Sequence, residues 1–415
     1  MALLVFFVLV FAGQLIGGFS TQRLPPSENG NIITILSIDG GGIKGILPAT
    51  VLHHLDTTLK TKDPNADLAH YFDVIGGTST GGIMAAMLAA PSSHDPNRAA
   101  FTPGQIVDFY KQNGPHIFNA STGTLFGPQF DGEFLHYITR KVLKNTRLSQ
   151  TLTNVVIPSF DIKTQKPVIF SSYKLGNAPY LNALLSDIAL STSAAPIILP
   201  PYYFENEGVE FNMIDGAVEA GNPTQVTISE VLQHNSYPKI LVLSVGTGVE
   251  KVTETYTAQE TAHWPGACWV FPLIAFRGRG SAAMDEYHVQ SFFNGSQPSS
   301  QPSYQYLRIE EHDLNPAFAN LVNVTPESMQ GLEDTGKQLL HENVLKLNFD
   351  TFDLYKLNLK NYEALDRIAD ILVGERQSRL ERKSMEKRGR PLLENLRVFS
   401  EKTEASVTLL KNLFI

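Results

Sequence analysis

Hydrophobic positions along the chain follow two periods, and the switches between them mark out the elements. Residues 31–38 (NIITILSI) form a β-branched run, which predicts a first core strand. From Ile43 the period changes. Ile43, Ile46, Leu47, Val51, Leu55 and Leu59 recur at helical spacing and predict a helix to about Lys60. Pro48 is tolerated because it lies near the helix start. Phe72 to Ile75 reads as a short buried strand. Ile83 to Ala90, all good helix formers without a breaker, reads as a helix. Two strand–loop–helix units so close together predict a parallel sheet covered on both faces.

Beyond Pro91 the pattern loosens, and residues 92–150 read as helical with long loops. Val155 to Ile157 and Val168 to Phe170 predict a hairpin across the turn Lys163 to Lys166. Tyr180 to Ser193 reads as a helix, Glu210 to Ile214 and Lys239 to Val245 as strands. A polar loop, Asn294 to Ser303, precedes a short strand around Tyr304 to Ile309, and from Pro326 onward the spacing is helical. The expected fold class is α/β, a mostly parallel central sheet with helices on both faces and a helical C-terminal extension. With no internal repeat or linker, the chain divides into a leader (1–20), a core (31–250), the mostly helical remainder of the same domain (251–385) and a helical tail (386–415).

Composition changes this picture little. Of 415 residues 43% are hydrophobic and 18% charged, enough for a large core. The net charge of -8 argues against a nucleic-acid footprint. A lone cysteine, Cys268, excludes an intramolecular disulfide. Residues 1–19 carry no charge and end in small residues, which predicts a signal peptide cleaved near Ser20 and entry into the secretory pathway. A membrane anchor would need a run at least this long. Sequons at Asn119, Asn294 and Asn323 agree with secretion and glycosylation. Residues 375–390 hold seven Lys or Arg among three Glu, which favours a solvated helix face over a patch for anionic membranes.

Candidate chemistry sits in the glycine-rich breaks. Gly77-Thr78-Ser79-Thr80-Gly81 stands between a strand and a helix, the context of a nucleophile elbow. Gly40, Gly41 and Gly42 close the preceding strand, and such a run leaves backbone N–H groups exposed in an anion-binding nest. Gly40, Gly42 and Gly45 also match a dinucleotide fingerprint, but that reading needs an acid ending the second strand, where this chain has Gly76-Gly77. No H-E-x-x-H or cysteine cluster points to a metal. His234, His263, His288, His312 and His341 follow Asp215, and none sits where a triad histidine would be singled out. Alone, Asp215-Gly216 reads as a turn carboxylate.

Taken together, Asp39-Gly-Gly-Gly-Ile-Lys44-Gly45, Gly77-Thr-Ser-Thr-Gly81 and Asp215-Gly216-Ala217 resemble the three signature blocks of patatin-like lipid acyl hydrolases, in the family's order. Ser191 to Pro196, Ala220 to Thr224, Val245 to Gly248 and Tyr362 to Leu365 resemble its secondary blocks, so the likeness spans residues 31–385. The resemblance implies a fold related to the α/β-hydrolases and a Ser79–Asp215 dyad. It also implies an oxyanion hole at Gly40, Gly41 and Gly42, and no cofactor or metal. The third block has Asp-Gly-Ala where Asp-Gly-Gly also occurs. The implied substrates are phospholipids or galactolipids, met in transient contact with a membrane surface, and the implied location is vacuolar or extracellular. The oligomeric state stays open. A storage or defence glycoprotein with incidental esterase activity is the alternative. Pro196 to Phe204 (PIILPPYYF) reads equally as an apolar entry lip or as core. Ser79 and Asp215 are expected to meet where parallel strand ends share one edge.

Overall fold

The central strand, β1 (Ile32–Ile38), is buried on both sides. Ile33 and Ile35 enter one core, Leu36 and Ile38 the other. The computed structural model describes residues 32–119, 127–234, 239–252, 255–295 and 306–384. The leader 1–20, residues 21–31, the loop beyond Gly295, Tyr304 and the tail 386–415 lie outside the described residues.

A 3-10 turn, Gly42–Gly45, leads from β1 into α1 (Ile46–Lys62). There follow β2 (Val74–Gly77), α2 (Thr80–Ala89), α3 (Pro103–Ile117), α4 (Glu133–Leu143), β3 (Asn154–Asp161) and β4 (Lys166–Ser171). Next come α5 (Leu185–Ser193), β5 (Tyr202–Asn206), β6 (Val209–Asp215), α6 (Thr224–His234) and β7 (Lys239–Val245). The C-terminal part holds α7 (Val270–Gly295), β8 (Tyr306–Ile309), α8 (Pro326–Leu340), β9 (Asn343–Leu347), β10 (Leu354–Lys360) and α9, residues 361–384.

The eight-stranded sheet has the order β5-β6-β3-β2-β1-β7-β8, with β4 against β3. Strands β3, β2, β1, β7 and β8 are parallel, β4 and β6 run antiparallel to β3, and β5 runs antiparallel to β6. One face packs Leu47 of α1, Met84 of α2, Ile106 of α3 and Ile188 of α5. The other packs Ile228 and Val231 of α6 with Val289 and Phe293 of α7. Because β8 pairs with β7, the segment after residue 250 completes the same sheet.

Register places the strand exits together. Ile38 pairs with Gly77 on one side and Val245 on the other, and Val245 pairs with Ile309. The segments leaving β1, β2, β7 and β8 therefore rise side by side from one edge, where open α/β sheets place their ligands. Asp215 reaches that edge by another route than expected. Its strand β6 runs antiparallel to β3, with Asp215 opposite Ser159. Since β3 pairs with β2 from Asn154 only as far as Val156, its last residues overshoot β2, and β6 ends over the elbow.

Other expectations need correction. The helix expected from Tyr180 begins at Leu185, after a 3-10 turn at Pro179–Leu181. Strand β5 begins inside the run Pro196 to Phe204 and joins β6 through Glu207 and Gly208, both at positive φ, the geometry of a two-residue hairpin. That run is lip and core at once: Ile197 is 75% exposed, whereas Leu199, Tyr202 and Phe204 are buried. The stretch after Pro326 is not wholly helical. Asn348 accepts from the N–H groups of Asp350 and Thr351, and this Asx turn closes the β9–β10 hairpin. The basic stretch is not a simple solvated face either. Arg379 is buried, donating to both oxygens of Asp73, to Glu375 and to the Ile32 carbonyl, and so ties α9 to the starts of β1 and β2. Lys387, Arg388 and Arg390 lie outside the described residues.

Candidate active site

The elbow is strained and closely held. Ser79, the N-cap of α2, has φ 53° and ψ −123°, outside the regions open to most side chains. Such a conformation costs about 1–3 kcal/mol and persists only where its surroundings over-determine it. Here a Cβ on Gly77 would lie 2.1 Å from the Gly81 carbonyl oxygen, so the turn closes backbone to backbone. The Ser79 N–H donates to Thr192 Oγ1 (3.0 Å), which itself donates to the Pro158 carbonyl (2.6 Å). The Asp215 N–H donates to the Ala194 carbonyl (2.9 Å) and that of Gly216 to the Thr192 carbonyl (3.3 Å). The end of α5 thus clamps both halves of the site.

Across this clamp the Ser79 hydroxyl donates to Asp215 Oδ2 at 2.6 Å. Asp215 Oδ1 accepts from the Ala217 N–H at 2.8 Å, which fixes the plane of the carboxylate. Both side chains are buried. Burial pushes the Asp215 carboxyl up to about 6, against the opposing pull of the Ser79 and Ala217 hydrogen bonds. Among the described residues no histidine bonds to either group. His312 lines the same cavity, and burial pushes it down to about 4.

The glycine run lies beside the serine, an ideal Cβ on Gly40 falling 3.1 Å from Ser79 Cβ. Its three N–H groups are not equivalent. That of Gly40 donates to the Gly221 carbonyl at 3.0 Å, which removes it from the expected oxyanion donors. Those of Gly41 and Gly42 meet no partner among the described residues, and nor does that of Thr80, a third donor position that sequence reading passed over. Gly42 sits at φ +59° with the Leu321 carbonyl oxygen 2.4 Å from where a Cβ would be. Gly42→Val is therefore expected to lower kcat by about 100- to 1,000-fold as the donor is displaced, and stability by about 1–3 kcal/mol from overpacking. Urea unfolding and steady-state kinetics measure the two, and an unchanged unfolding midpoint would contradict the collision.

The remaining motif residues support this loop. The Thr247 hydroxyl donates to the Gly40 carbonyl (2.7 Å) and the Thr78 hydroxyl to that of Ala220 (2.6 Å). Lys44 is buried with its Nζ on the Gly248 carbonyl at 2.8 Å, and desolvation lowers its pKa. Gly45 closes the 3-10 turn against Thr80 and Tyr110. Asp39 receives a two-pronged contact from Arg308, which also donates to Ser244 Oγ and Glu310. Burial raises the Asp39 carboxyl to about 6 against the pull of that guanidinium. Sequence reading missed both Arg308 and Thr192. The signals were a charge inside an apolar strand and the Ser191–Pro196 block, neither of which names a partner. Asp56, within range of the dinucleotide reading, is tied to Lys60 in α1 at 2.7 Å. Of the sequons, Asn119 is exposed at the end of α3, and Asn323 donates its amide to the Ala317 carbonyl (3.2 Å). The Asn294 side chain lies outside the described residues.

Ser79, Asp215 and the glycine run all line one cavity of about 1010 Å³. Ile83, Ile117, Phe118, Leu135, Ile198 and Leu199 form an apolar wall within it, suited to a hydrocarbon chain.

Comparison with known proteins points to one family. Residues 36–228 match the family model described as Patatin-like phospholipase. Patatin-08 of Solanum tuberosum is 39% identical over 374 residues, covering 85% of this chain and 93% of its own length. Patatin group D-2 of the same plant matches with the same identity and coverage. Among solved structures, VipD from Legionella pneumophila aligns with 79% of this chain and 68% of its own at TM-score 0.34 and 9% identity.

Proposed function

The chain belongs to the patatin-like phospholipase family, a family of lipid acyl hydrolases, and from that premise we propose that it cleaves fatty-acyl esters of phospholipids or galactolipids through a Ser79–Asp215 dyad. The observation that carries the reading is the 2.6 Å hydrogen bond from Ser79 Oγ to a desolvated carboxylate on the wall of an apolar cavity.

Serine alone is a poor nucleophile at neutral pH and needs a base within reach. Asp215 Oδ2 takes the Ser79 proton as Oγ attacks the ester carbonyl. The N–H groups of Gly41 and Gly42 receive the oxyanion as charge develops on it. Collapse returns the proton from Asp215 to the leaving lysolipid oxygen and leaves the acyl group on Ser79. Water then attacks the acyl-enzyme as Asp215 takes its proton, collapse breaks the bond to Ser79 Oγ, Asp215 returns the proton to that oxygen, and fatty acid departs. Desolvation matters because a carboxylate at its ordinary pKa is too weak a base, whereas one near 6 stays ionised at pH 7 and accepts a proton more readily.

Labelling by a fluorophosphonate ester tests this. Peptide mapping is expected to place the label on Ser79. The rate of labelling is expected to fall about tenfold per pH unit below about 6, because the reactive form is the deprotonated Asp215, and to level off above it. A label on another serine, or a rate indifferent to pH from 5 to 7, would sink the assignment.

A further inference from the structure

From the placement of aromatic side chains, we infer that the segment 256–276, continuing into α7, is the surface by which this protein docks on aggregates of zwitterionic or uncharged lipid. The inference rests on the lipid acyl hydrolase reading and adds to it the residues that meet the lipid surface.

The chain has two tryptophans, and both lie here. Trp264 packs edge-on against Tyr256 at 5.3 Å and against Trp269 at the same distance, and Tyr256 packs against Phe276 at 5.8 Å. This cluster is not core. Tyr256 is 40% exposed, Phe276 42%, and Leu273 beside them 55%. Rings with an apolar body and a polar edge are the side chains that settle at the boundary between water and hydrocarbon. Apolar surface this concentrated marks an interaction site in a soluble chain.

Continuity with the catalytic cavity names the occupant. Ala275, Gly278 and Ala282 of α7 line the cavity that holds Ser79. Leu273, Phe276 and Met284, the last 41% exposed, each stand two residues from one of them, about 200° round the helix. One side of α7 is thus a wall of the cavity, and Leu273, Phe276 and Met284 stand exposed on the side away from Gly278 and Ala282. Phe352 and Leu354 of the β9–β10 hairpin likewise line the cavity while 44% and 38% exposed. A lipid leaving an aggregate at this surface reaches the serine without its acyl chains crossing open water. The net charge of -8 opposes approach to anionic surfaces, which selects phosphatidylcholine or galactolipid surfaces instead.

Because both tryptophans lie in the patch, intrinsic fluorescence reports docking directly. The protein is Ser79→Ala, so that lipid is not consumed, titrated with phosphatidylcholine vesicles with and without brominated acyl chains. The expected result is a blue shift with plain vesicles and quenching with brominated ones. Neither change, or changes only with anionic lipid, overturns the inference. In the otherwise native enzyme, Leu273→Glu with Phe276→Glu is expected to lower hydrolysis of vesicle lipid by about tenfold or more. It should leave kcat/KM for a soluble short-chain ester within about twofold. Unchanged vesicle hydrolysis also overturns the inference. If that pair loses both activities through misfolding, the fluorescence arm, which keeps the native surface, decides alone. Absence of ester hydrolysis and of Ser79 labelling in the native protein would instead defeat the underlying functional reading.

Discussion

Asp215→Asn is expected to abolish turnover about as fully as Ser79→Ala, each by roughly four orders of magnitude or more, while making the protein more stable at pH 7. Loss of activity follows from the chemistry. Asparagine keeps the shape of the side chain and still accepts from the Ala217 N–H, but cannot take the Ser79 proton. Members of one catalytic unit fail together, so the double variant should be no worse than either single one. The gain in stability follows from linkage. The carboxyl of Asp215 lies at about 6 in the folded protein against 3.8 for an ordinary aspartate. The folded state therefore holds this proton more tightly, and the group subtracts stability as pH rises from about 4 to about 6, after which the loss levels off. At about 1.4 kcal/mol per tenfold change, the ceiling of that cost at neutral pH is roughly 3 kcal/mol. Denaturant unfolding at pH 4 and pH 8 measures it. The advantage of the asparagine variant should appear at pH 8 and vanish at pH 4. A variant that keeps a tenth of native turnover would remove Asp215 from the chemistry.

Arg308→Met is expected to lower the unfolding free energy by about 3–5 kcal/mol. The guanidinium, on a side chain 11% exposed, lies between Asp39 and Glu310, both buried, and donates to each. Methionine fills much of the space and leaves two desolvated carboxylates without the cation that hydrogen-bonds both. The site suffers with the fold. Asp39 opens the glycine run, and Glu310 accepts from the Gly248 N–H, next to Thr247 that holds the Gly40 carbonyl. Asp39→Asn in the same chain removes one stranded charge and is expected to restore part of the loss, the signature of a coupled pair. Urea midpoints of the two singles and the double close the cycle. A loss under 1 kcal/mol for Arg308→Met would mean that water reaches the cluster.

Much of the site was legible because its residues are set by local backbone demands. A Ser at positive φ and a close backbone approach require glycine neighbours, and these stand out at Gly77, Gly81 and the run Gly40 to Gly42. Strands buried on both faces read as unbroken apolar runs, which exposed β1 and β7. Elements marked only by weak alternation were lost. Strand β5 hid among prolines and aromatics, and the β9–β10 hairpin hid behind Leu and Lys, residues at home in helices. Arg379 and Arg308 read as surface charge because a cation reveals nothing of its carboxylate partner before the chain folds.

The sequence by itself determined where the chain turns, which turn carries the serine and which carries the anion nest. Each of these is a conformational requirement met within a few residues. Only the tertiary structure decided which groups meet. Ser79 and Asp215 are separated by 136 positions, and their contact depends on β6 running antiparallel over the overshooting end of β3. Folding also took the Gly40 N–H out of the nest by giving it the Gly221 carbonyl, and raised the Asp215 carboxyl to about 6 by excluding water from it. Burial and partnership are properties of the packed chain, since desolvation and hydrogen-bond competition arise only when distant segments exclude solvent from one another.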